Sequence, residues 1–66
     1  MQDSVTVRAL RLAAHLLGGP AKLRDALGVS SADVADWLAG TREPPREILF
    51  RALDIILDDL DREEGA

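Results

Sequence analysis

Residues 22–40 read KLRDALGVSSADVADWLAG, and the spacing inside this stretch decides the fold. Its apolar anchors Leu23 and Leu27 are one i,i+4 step apart, as are Val34 and Leu38, so each segment turns a single apolar stripe toward a common interior. Between them lie Gly28, Val29 and Ser30. Gly28 can take the left-handed conformation that ends a first helix, and Ser30 can cap a second, with Asp33 three places on to complete a capping box. The pattern predicts two short helices joined by a tight turn, a helix-turn-helix.

Glycines and prolines on either side of this stretch divide the rest of the chain. A first helix starts after Asp3 or Ser4, either of which can cap it, and covers about 4–17, where Gly18 and Gly19 end it. Pro20 fits the first turn of the second helix, 20–27. The third covers 31–39 and stops at Gly40. After Thr41 to Glu43 come Pro44 and Pro45, and the second proline suits the start of a long fourth helix, 45–62, with only the last few residues fraying. The fold class predicted is all-α, a compact four-helix domain with a central helix-turn-helix and a long C-terminal helix. No repeat, linker or low-complexity segment interrupts it.

Composition agrees. The 66 residues leave room for one domain with a modest core. Apolar residues make up 47% but aromatics only 3%, and the filler is Leu and Ala, strong helix formers. With no cysteine, neither a disulfide framework nor a thiolate metal site can form. The sequence shows neither a signal peptide nor an apolar run near the roughly 20 residues that span a bilayer, so the expectation is a soluble, cytoplasmic protein without a membrane partner.

The formal charge is −4, but it is unevenly spread. Residues 1–53 hold seven basic side chains (Arg8, Arg11, Lys22, Arg24, Arg42, Arg46, Arg51) against six acids, a net of +1, while residues 54–66 hold six acids against Arg62 alone, a net of −5. A near-neutral body with an acidic end is neither a basic DNA clamp nor a uniformly acidic mimic of nucleic acid.

The series Leu23, Leu27, Gly28, Val29, Ser30, Val34, Trp37, Leu38 and Gly40, followed by Arg42, Pro44, Pro45 and an apolar helix, resembles the lambda-repressor-like DNA-binding domains of the Cro and phage repressor type. The likeness spans about residues 9–60 and rests chiefly on residues that pack and turn. It implies that the third helix lies in the major groove of double-stranded DNA, with Ser31, Ala32, Asp33 and Asp36 facing bases. It implies phosphate contacts from Lys22, Arg24, Arg42 and Arg46, at the starts of helices two and four and in the loop after helix three.

The chain departs from that pattern on the reading surface itself. Base-reading helices favour Arg, Lys, Gln and Asn, whereas this one presents Ser31, Ala32 and two carboxylates. Asp33 fits the cap of its own helix, where negative charge is favourable. Asp36 has no such role. A carboxylate near a polyanion is repelled unless compensated, and the sequence places few cations close by.

Helix four carries a second anomaly. At 100° per residue its apolar side chains, Ile48 to Leu60, span an arc of about 220°, where a one-sided surface helix needs about 100°. Helix one repeats this, with Val5, Val7, Leu10, Leu12, Leu16 and Leu17 spread around a polar stripe of Ser4, Arg8, Arg11 and His15. Helices two and three cannot cover both. Because many members of the resembled family carry a fifth helix, the missing cover is expected from a second copy in a homodimer or from a larger protein, at Phe50, Ile55 and Leu57.

The remaining polar residues read as surface. His15 belongs to a solvated stripe, and Asp54 and Asp58 lack the further ligands that a cation needs. Trp37 reads as a partly buried core anchor. Ser31 has no histidine to activate it, so no catalytic residue, cofactor or metal is expected, and the chain does not read as an enzyme. The reading reached is a small DNA-binding transcriptional regulator, with a protein-interaction module on the same scaffold as its competitor.

Overall fold

The computed structural model describes residues 4–65, with side chains through Arg62. Four helices follow one another: α1 (Val5–Leu17), α2 (Pro20–Leu27), α3 (Ser31–Ala39) and α4 (Arg46–Gly65), with no strand among the described residues. The protein is an all-α four-helix domain. The first three helices have the expected inner bounds. The fourth begins one residue later than expected, with Pro45 at the cap position, where its carbonyl accepts from Ile48 N–H at 2.9 Å, and it continues beyond Arg62 to Gly65.

Each helix is delimited by local chemistry. Ser4 caps α1, its Oγ accepting from Val7 N–H at 3.1 Å; the alternative cap, Asp3, lies outside the described residues. Ser30 caps α3 in the same way, accepting from Asp33 N–H at 3.1 Å. Between α2 and α3 the chain reverses through Gly28, whose φ of 70° is left-handed and whose N–H donates to Arg24 C=O at 2.9 Å. A side chain at that φ is strained, which explains why the turn uses glycine.

The core is built from one stripe per helix. Leu10 and Leu23 are the largest fully buried side chains, and Ala9, Ala13, Ala14, Leu27, Val34, Trp37, Ile48 and Ala52 close around them. Trp37, 6% exposed, is more deeply buried than a partial anchor. The longest helices, α1 and α4, share the largest interface, and α2 and α3 pack across α1 and each other. Two arginines tie the layers. Arg11 on α1 donates from Nε and Nη2 to Leu38 C=O at 3.0 and 2.9 Å, at the end of α3, and Arg51 on α4 donates from Nη1 to Leu27 C=O at 3.0 Å, at the end of α2. Each places a cation on carbonyls that the helix itself leaves unpaired. Arg11 is therefore more than part of a solvated stripe. No helix of the described residues is long and apolar enough to cross a membrane.

Candidate nucleic-acid interface

The α2–turn–α3 unit buries its inner face and leaves a small outer one. Val34 and Trp37 point inward, Leu38 is half-buried, and Ser31, Ala32, Ala35 and Ala39 stand exposed. The four base-facing candidates lie on α3, Ser31 and Ala32 exposed and Asp33 and Asp36 half-buried. Beside them, Pro20, Ala21, Val34, Ala35 and Leu38 line an open, mostly apolar depression of about 270 Å³ between α2 and α3.

The electrostatics of this face differ from the sequence reading. Arg42, in the loop after α3, folds back over the helix, its Nη2 donating to Asp33 Oδ1 and its Nε lying 3.2 Å from Asp36 Oδ2. The carboxylate pair does have a cation beside it. The cause is the tight exit from α3: Gly40, at φ 79°, and the bond from Thr41 N–H to Asp36 C=O at 3.0 Å turn the chain back along the helix it has just left. Thr41 Oγ1 also donates to Asp36 C=O at 3.1 Å. For the same reason Asp33 does not close a capping box. Ser30 supplies its half, but the Asp33 carboxylate is directed to Arg42.

The four phosphate candidates divide into two pairs. Arg24 lies 3.0 Å from Asp25 Oδ1 through Nη2 and donates from Nη1 to Ser31 Oγ at 3.0 Å. It thus occupies the hydroxyl of one base-facing candidate, as Arg42 occupies the carboxylates of two others. Lys22, in the first turn of α2, and Arg46, at the start of α4, are exposed and make no ion pair among the described residues. Exposed pairs of this kind contribute about 0.2–1 kcal/mol, so Arg24 and Arg42 can be drawn away by a competing anion at modest cost.

The interface candidates also separate. Phe50 and Leu57 are 61% and 62% exposed, whereas Ile55 is half-buried and packs against the core. Ile55 lies on the side of α4 shared with Ile48 and Ala52, which accounts for its partial burial. Sequence reasoning missed Leu53, Leu60, Val5 and Leu12, which are exposed with Phe50 and Leu57. The signal was present as spacing: Phe50, Leu53, Leu57 and Leu60 alternate by three and four residues.

Asp58 pairs with Arg62 at 3.2 Å, one turn on, rather than sharing a site with Asp54. His15 is exposed. No cluster of three or more metal-ligating side chains occurs among the described residues. No protein-family model matches the chain, and no curated protein or solved structure matches it.

Proposed function

We propose that the chain is a small helix-turn-helix DNA-binding regulator that holds duplex mainly through phosphates and reads sequence weakly. The observation that carries this is the small, exposed outer side of α3, together with the exposed cations Lys22 and Arg46 near the starts of α2 and α4, which make no ion pair among the described residues. A helix whose most exposed side chains are the small Ser31, Ala32, Ala35 and Ala39, with Asp33 and Asp36 held by Arg42, can approach the floor of a major groove closely, and cations at helix N-termini join backbone N–H groups in binding phosphate. What such a surface can read is limited. Alanine methyls touch thymine methyls, and nothing on it makes the bidentate contact that selects guanine.

A titration by fluorescence anisotropy against random duplex at low salt tests the reading. With phosphate contacts from Lys22 and Arg46 the slope of log affinity against log salt is expected near −1.8, from about −0.9 per contact. Arg46→Ala should flatten it by about one unit. Asp36→Asn removes one of the two carboxylates that hold Arg42, and is expected to strengthen binding severalfold to all sequences. Failure of both the native chain and Asp36→Asn to bind any duplex at low salt rejects DNA binding.

The Asp33–Arg42–Asp36 cluster favours a second reading, that of a protein-interaction module whose α3 face is internally neutralised. Absence of duplex binding together with an occupant for the α1 and α4 face is the result that selects it.

A further inference from the structure

The most extensive unsatisfied surface lies away from α3. Val5 and Leu12 on α1, 68% and 45% exposed, and Phe50, Leu53, Leu57 and Leu60 on α4, 39% to 62% exposed, are all large apolar side chains left facing water. An open trough between the two helices is lined by Val5, Arg8, Ala9, Leu12, Leu53 and Ile56. Scattered apolar residues are ordinary on a surface, but here four on one helix fall at steps of three, four and three residues, the spacing with which one helix seats another.

The border of this stripe indicates what fits it. Asp54 follows Phe50 by four residues and Asp61 follows Leu57 by four, so each carboxylate stands one turn beyond an exposed apolar side chain, along the same edge. Both are exposed, and neither makes an ion pair among the described residues, unlike Glu47 and Asp58, which have Arg51 and Arg62 at 3.9 and 3.2 Å. A second copy does not answer this edge. Laid antiparallel, stripe on stripe, it sets Asp54 and Asp61 against the same carboxylates; laid parallel, it sets them against the half-buried Leu49 and Ile56. Along α4 neither orientation sets a cation directly opposite Asp54 or Asp61, although Arg8 in the trough and Arg46 at the start of α4 border the face.

From this border we infer that the α1 and α4 face is a docking surface for an amphipathic helix of another protein, apolar along the side that enters the trough and carrying Lys or Arg along the edge that lies over Asp54 and Asp61. The apolar stripe supplies the affinity, and the acidic edge fixes orientation and excludes acidic helices. The inference does not depend on DNA binding, since the α3 face and this face share no residue.

Two fluorescein-labelled helical peptides of equal length, one with Leu on one face and Lys on the other and one with Leu and Glu, test it by anisotropy against the full chain. The Leu/Lys peptide is expected to bind at least about tenfold more tightly than the Leu/Glu peptide, with affinity falling as salt rises. Phe50→Glu and Leu57→Glu should abolish binding while circular dichroism stays helical, because both positions are exposed. The double variant Asp54→Lys, Asp61→Lys should reverse the preference. No binding of the Leu/Lys peptide, equal binding of both, or binding that survives Phe50→Glu overturns the proposal. So does a dimer in sedimentation equilibrium that Phe50→Glu dissolves, since the occupant is then a second copy.

Discussion

The α2–turn–α3 unit and the α1 and α4 face reach opposite outcomes from similar material. In the first, polar groups that could meet an outside partner find one another: Arg42 meets Asp33 and Asp36, and Arg24 meets Asp25 and Ser31. In the second, apolar groups and two carboxylates stay unanswered. The difference lies in chain geometry. A tight turn after each short helix returns the chain to its own side chains, so charges pair locally, whereas the long α4 packs mainly on α1 along one side and leaves Phe50, Leu53, Leu57 and Leu60 outward. A surface that satisfies itself must give up those pairs, at modest cost each, to meet a partner; one left unsatisfied gives up none.

The largest expected effect tests the interior that both regions share. Leu23→Ala, at a fully buried site, should lower stability by about 2–5 kcal/mol, a large part of what a domain this small holds. A urea melt followed by circular dichroism measures it, and a change below about 1 kcal/mol would show that α2 contributes little to the core. Next comes the turn. Ser30→Ala removes the side chain that accepts from Asp33 N–H and should cost about 1 kcal/mol, with Ser30→Asp recovering most of it.

Smaller effects sharpen the contrast between the two surfaces. Arg42→Ala breaks both carboxylate pairs and should destabilise by no more than about 1 kcal/mol, because all three partners are partly exposed, and that loss should shrink as salt rises. A loss of 2 kcal/mol or more would make the cluster a structural clamp. The smallest change in stability is expected on the apolar face: Leu57→Ser should move the melt by under about 0.5 kcal/mol in dilute protein. If Leu57→Ser instead destabilises as Leu23→Ala does, the side chain is covered in solution and the contrast fails.

Much of the fold was legible because its signals are local. Gly18, Gly28 and Gly40 end helices at the expected places, and Ser4 and Ser30 begin them, since a cap needs only its own neighbours along the chain. The site was less legible. Ser31, Ala32, Asp33 and Asp36 could be placed on one helix by counting, but the return of Arg42 onto that helix depends on the path taken after Gly40. Ile55 and Phe50 looked alike as apolar residues of α4, and only the packing of α1 against that helix half-buried one and left the other exposed.

Local patterns along the chain were enough for the four helices, most of their caps and stops, and the inward stripe of each, because i,i+4 spacing and capping act over a few residues. Tertiary structure decided the rest. It sent Arg11 and Arg51 across 27 and 24 residues to the ends of α3 and α2, set Arg42 against two carboxylates, and chose which side of α4 meets the core. These outcomes depend on how helices are placed in space, and a side chain's partner across such separations is fixed by that placement rather than by any pattern along the chain.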